Sequence, residues 1–157
     1  MNPILQKIQD GVEQIASDPE SKDQYDRIVL AGKKIMFDPE THDKISWMQN
    51  PTDLATLVTG VADLIAIIGE KSNNTMQDDP AAGAAVSLIM EALDFAERAQ
   101  GVAITQEMAD SAVMATNEKM QGGGQSEQPQ EPAAPQQTQQ PAAQPPGQAR
   151  GLINMGA

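Results

Sequence analysis

The 157-residue chain carries 22 Asp and Glu against 10 Lys and Arg, a formal charge of −12, with one His, no Cys and four aromatic residues. That length allows one ordinary domain at most. The missing cysteines exclude thiolate zinc and iron–sulfur centres, disulfides and Cys nucleophiles. The charge argues against a direct nucleic-acid binder, whose affinity comes from cations replacing counterions on phosphates.

Composition changes abruptly near Met120. Residues 1–120 hold 20 acids and 9 bases, so nearly all the charge belongs to them. Within this part the strongest signal is an Asx-Pro pair, repeated at Asn2-Pro3, Asp18-Pro19, Asp38-Pro39, Asn50-Pro51 and Asp79-Pro80. Proline suits the first helical position and disfavours helix for the residue before it, whose side-chain oxygen can cap a free N–H. The pairs therefore predict five helix starts, with Glu20, Glu40 and Asp53 placing negative charge near positive helix ends.

Taken in order, the first helix presents Ile4, Leu5, Ile8, Val12, Ile15 and Ala16 on one stripe, and the second Tyr25, Ile28, Val29, Gly32, Ile35 and Met36. A short helix from Pro39 would present Ile45 and Met48, with Trp47 at its edge. The helix from Pro51 has Leu54, Leu57, Val58, Val61, Leu64, Ile65 and Ile68 at the same spacing, broadened by Ala66 and Ile67, a breadth that predicts the central helix of a bundle. From Pro80 a fifth helix carries Ala84, Ala85, Leu88, Ile89, Ala92, Leu93 and Ala96, and a weaker sixth spans residues 105–120. No stretch alternates with period two over strand length. The fold class read from the sequence is all-α, a bundle of five to six helices over residues 1–120.

Two local features accompany these helices. The pattern D-P-E-[ST]-x-D occurs at residues 18–23 and 38–43 and reads as shared capping chemistry, with a duplicated recognition turn as the alternative. Gly11, Gly32, Gly60 and Gly83 interrupt helices, where Gly is unfavourable by up to about 1 kcal/mol relative to Ala. Close helix approach or a kink is the expected reason.

Residues 121–149 are Gln-, Pro- and Gly-rich, 20 of 29, with no aliphatic side chain larger than Ala. Such a segment cannot bury enough apolar surface to offset an ordering entropy of roughly 1–2 kcal/mol per residue and is expected to be disordered. Residues 150–157 then restore Leu152, Ile153 and Met155 behind Arg150, the pattern of a docking peptide on a tether. A flexible linker of this length reaches roughly 30 Å and raises the local concentration of whatever it carries.

The candidate chemistry is sparse. His42 beside Asp43, with Ser46 four residues on, resembles part of a nucleophile-activating set, but no Gly-rich elbow accompanies it. An exposed first-turn histidine and a non-enzymatic chain are the expectation. Asp78-Asp79 and the Asp38/Glu40/Asp43 cluster offer oxygen ligands, yet residues 72–83 lack the alternating ligands and final Glu of an EF-hand loop. Neither phosphate-binding glycine motif occurs, so no cofactor or metal is expected. Residues 54–69 form the most hydrophobic run, but its 16 residues are interrupted by Asp63, whereas a spanning helix takes about 20 apolar residues. The run reads as a core helix, with membrane insertion reserved for a protein ejected from an assembly. No basic, then apolar, signal peptide is visible at the start. Met108, Met114 and Met120 lie on the weakly patterned last helix, where adaptable methionines suit a partner surface.

With residues 28–43 (IVLAGKKIMFDPETHD), the Gln/Pro/Gly-rich extension and the terminal GLINMGA in view, the chain resembles small acidic helical virion structural proteins of tailed bacteriophages. The resemblance implies a non-enzymatic role inside the head, around the portal or ejected with the genome. Implied with it are a portal, coat or other virion protein as partner, homo-oligomers in the particle, no direct nucleic-acid contact, and a path from host cytoplasm during assembly to the virion. The expected partner-binding residues are Arg150, Leu152, Ile153 and Met155, with Met108, Met114 and Met120. Phage scaffolding proteins share the acidity but often end in a basic helix–turn–helix, which this chain lacks. Scaffolding and membrane-active ejection remain alternatives, as does a soluble cellular adaptor acting through its Met-rich last helix.

Overall fold

The computed structural model describes residues 1–122, and among them the chain is all-α, without a strand. Five helices form the bundle: α1 (Pro3–Glu13), α2 (Pro19–Phe37), α3 (Leu54–Lys71), α4 (Asp78–Gln100) and α5 (Gln106–Gln121). Two 3₁₀ turns, His42–Lys44 and Ser46–Met48, connect α2 to α3. The expectations for the 121–149 linker beyond Gly122, and for the terminal peptide with Arg150, Leu152, Ile153 and Met155, lie outside the described residues.

Two of the five Asx-Pro pairs start α-helices as expected. Asn2 accepts from the Ile4 N–H at 2.9 Å and Asp18 from the Ser21 N–H at 2.9 Å, each with Pro in the first turn. These bonds to Ser21 hold the Asp18 carboxyl below its ordinary range. The other three pairs behave differently. Asp53, not Asn50, caps α3, taking the Thr56 N–H at 3.3 Å and the Thr56 hydroxyl at 2.8 Å. α4 begins at Asp78 behind Gln77, so Asp79 sits inside the first turn, and Gln24 of α2 accepts from the Gln77 N–H at 3.0 Å.

The α-helix expected from Pro39 does not form. Asp38 ends α2, its side chain accepts from the Glu40 N–H at 2.8 Å, and the Thr41 hydroxyl donates back to the Ile35 carbonyl at 2.6 Å. Ser21, the matching residue of the first D-P-E-[ST]-x-D segment, supplies its backbone N–H to the cap; Thr41 instead ties the chain to the helix behind it. Behind Pro39, Thr41 and His42 bond back to the Ile35 and Met36 carbonyls of α2, so the interval up to Pro51 does not start a new helix. It closes single i→i+3 turns, such as Ile45 N–H to the His42 carbonyl at 3.2 Å. The apolar positions still point inward: Met48 is buried, and Ile45 and Trp47 pack against the core.

The central helix is α4, not α3. Each of the other four helices packs on α4, and α4 buries Leu88, Ile89, Met90, Ala92, Leu93 and Ala96. α3 buries Leu57, Val58, Val61, Leu64 and Ile65 but leaves Ala66 and Ile67 exposed, so its apolar breadth reflects an uncovered outer face. The Ala-rich flanks of α4 are what allow four helices to approach it.

Small residues mark the closest approaches. At Gly32 of α2, a Cβ would overlap the Leu88 side chain, and at Gly60 of α3 it would overlap the Trp47 ring. Gly83 leaves only 3.1 Å between such a Cβ and Val12, whereas Gly11 faces nothing within 4 Å and lies near the end of α1, so close approach does not explain it.

Polar links fix the helices in register. The Tyr25 hydroxyl of α2 and Ser87 of α4 share a buried 2.7 Å hydrogen bond. Lys33 of α2 meets Glu91 of α4 at 2.7 Å, and Gln9 of α1 donates to the same carboxylate at 3.1 Å. Burial pushes the Tyr25 phenol above its ordinary 10.0, against the opposing pull of the Ser87 bond. Since the folded value is the higher, the phenol's contribution is whole below about pH 10 and declines above it, where the unfolded chain releases the proton more readily. Tyr25→Phe should therefore lower stability by about 1 kcal/mol at pH 7 and flatten the alkaline limb of unfolding, read by urea titrations between pH 7 and 11. An unchanged alkaline limb would assign that limb to other groups.

Candidate functional site

His42 is neither exposed nor catalytically paired. Its ring is half-buried, 5.0 Å from Phe95 in an edge-on arrangement and 6.4 Å from Phe37 in a stacked one. Its Nδ1 lies 2.8 Å from the Met36 carbonyl; a carbonyl only accepts, so Nδ1 carries the hydrogen. Among the described residues no hydrogen bond joins His42 to Asp43 or Ser46, both of which are exposed. The imidazole seals the end of α2 against α4, a place that the D-P-E-T-H-D pattern did not reveal because Phe95 lies 53 residues further on.

The carboxylates are similarly dispersed. Among the described residues there is no group of three His, Cys, Asp or Glu side chains able to hold a metal ion. Asp18, Asp38 and Asp53 close helix or turn ends. Asp94 is the buried one, with Arg98 Nε at 3.0 Å from one oxygen and the chain's terminal ammonium at 3.8 Å from the other.

A shallow groove of about 420 Å³ runs between Trp47 and α3, lined by the ring together with Ser46, Thr56, Thr59, Gly60 and Asp63. It presents one aromatic face, three hydroxyls and one carboxylate. No acid–base pair converges in it. The groove exists because Gly60 lets the Trp47 ring lie on the helix backbone, and the legible signal for it is a glycine on the buried stripe of an otherwise bulky helix.

The methionines of α5 separate. Met108 and Met120 are half-buried and pack on the core, while Met114 is 72 % exposed. α5 approaches α3 and α4 through the small residues Ala109, Ala112 and Thr116, which brings its longer neighbours into partial contact and leaves Met114 outward. No described helix is long and apolar enough to cross a membrane. Leu30, which sits off the buried stripe of α2, is 71 % exposed and flanked by Asp26 and Lys34 one turn away on either side. Compared with known proteins, the chain matches no family model, no curated protein and no solved structure.

Proposed function

We propose that this chain is a non-enzymatic, virion-associated structural or assembly protein of a tailed bacteriophage, docking to a neighbouring virion protein through its terminal residues Arg150, Leu152, Ile153 and Met155. The observation that carries this reading is the return of three large apolar side chains at the end of a long polar extension, behind a capped acidic helical module. The resemblance at residues 28–43 and in the terminal peptide supports the phage assignment. The non-enzymatic part is supported by His42, the single imidazole, being bonded to backbone and wedged against two phenylalanines. Head-internal, portal-proximal and ejected positions all fit, with the finished protein in the virion after assembly in the host cytoplasm.

Deleting residues 150–157 should leave the far-UV circular dichroism and unfolding transition of the purified protein unchanged while abolishing its incorporation into particles. Normal incorporation of the truncated chain sinks the docking reading. A cellular adaptor is the second reading, favoured by the exposed Met114 on α5. Mass spectrometry of purified particles separates the two, because an adaptor stays out of virions.

A further inference from the structure

The charge of the bundle is unevenly spread over its helices. α1, α3, α4 and α5 are each net acidic, while α2 carries Lys22, Arg27, Lys33 and Lys34 against Glu20, Asp23 and Asp26 and is the one α-helix of the described residues with a positive balance. Between Arg27 and Phe37 there is no acid. Two copies of so acidic a module repel each other on most approaches. The outer face of α2 is where that repulsion is least.

The order of residues on that face is specific. Asp26, Leu30 and Lys34 follow at intervals of four and so lie on one side of the helix, about 6 Å apart along its axis. The helix macrodipole accounts for acids early and bases late; it does not account for a leucine 71 % exposed between them. Lys34 has no ion-pair partner among the described residues, and Asp26 has only the loose, exposed contact with Lys22 at 3.7 Å.

We infer that the outer face of α2 pairs with the same face of a second copy, antiparallel, with the twofold axis at Leu30. That arrangement sets Leu30 against Leu30 of the second copy and each Asp26 against a Lys34, twice over, as an isologous contact requires. A parallel pairing sets Asp26 on Asp26 and Lys34 on Lys34. The inference goes beyond the proposed function, giving a contact to the homo-oligomer that the resemblance implies, and rests on the charge order of α2. One 19-residue helix covers less than the roughly 1,200–2,000 Å² of a stable interface, so the dimer is reversible and weakened by salt.

The test is sedimentation equilibrium of the full chain over a concentration series at low and high salt, with circular dichroism confirming the fold of each variant. Wild type should dimerise, and Leu30→Glu should abolish it. Lys34→Glu alone and Asp26→Lys alone should each weaken self-association at least about tenfold, a difference near 1.4 kcal/mol. Mixed together, the two single variants should form a heterodimer, because Asp26 then meets Lys34 and Glu meets Lys across the axis. A wild type that stays monomeric at every concentration overturns the inference and hands the face to another partner. So does a dimer indifferent to these variants, or a mixture that fails to restore association. Particle incorporation is a separate readout, so failure here leaves docking through residues 150–157 standing, and the reverse.

Discussion

Leu88→Ala should remove about 3–5 kcal/mol of unfolding free energy, a large share of the roughly 5–15 kcal/mol available to a domain of this size. Leu88 is fully buried on α4, and its side chain fills the notch over Gly32 of α2. The same contact makes Gly32→Ala unfavourable: the added methyl overlaps Leu88, an overpacking loss of about 1–3 kcal/mol, against a helix-propensity gain of up to about 1 kcal/mol. Combined, the two changes should cost less than their sum, since the new methyl occupies space that Leu88 has vacated. Urea unfolding of the four proteins measures the coupling. Additivity within about 0.5 kcal/mol would mean that the two side chains do not share the space.

Gly60→Ala should move Trp47. The ring lies on the α3 backbone at Gly60, where a methyl would overlap it, and being only half-buried it can swing outward. Because Trp47 is the sole tryptophan, its fluorescence reports the displacement as a red shift. The expected loss of stability is about 1–3 kcal/mol. Gly11→Ala serves as the contrast: nothing lies within 4 Å of its added carbon, so the helix gain of up to about 1 kcal/mol should appear uncancelled. Equal effects at the two glycines, or an unshifted spectrum for Gly60→Ala, would contradict the close approach of Trp47 to α3.

The helical class, and the buried stripes of α2 and α4, were legible in the residue spacing. Ile28, Gly32 and Met36 face inward, as do Leu88, Ile89, Ala92, Leu93 and Ala96. Periodicity reports that a face is covered but not by what, which is why spacing favours α3, richer in large aliphatics, as the centre over the Ala-rich α4. Of the five Asx-Pro pairs expected to start helices, only Asn2 and Asp18 complete α-helical caps of their own. At Asp38 the same dipeptide serves a turn, because Thr41 and His42 bond back to α2. Of the three methionines of α5 expected to face a partner, Met108 and Met120 pack partly on the core and Met114 stands exposed, a division that the weak pattern of that helix does not reveal. Leu30 went unmarked because it belongs to no stripe. The His42–Phe95 contact joins segments 53 residues apart, and the Trp47–Gly60 contact joins two separately patterned elements, so neither follows from the period of a single helix.

The position of α4 in the chain also governs how the protein is made. Among the described helices it follows α1, α2 and α3, yet these and α5 all pack on it. Links such as Asn2 to Glu97 and Gln9 to Glu91 span 95 and 82 residues and close only after α4 has been synthesised. A bundle wired through such distant pairs folds more slowly than helical bundles built from neighbouring hairpins. Until α4 arrives, the inward residues of the helices before it, such as Val12 of α1, Ile28 of α2 and Leu64 of α3, have no hub to cover them, and these are what a chaperone would meet during translation.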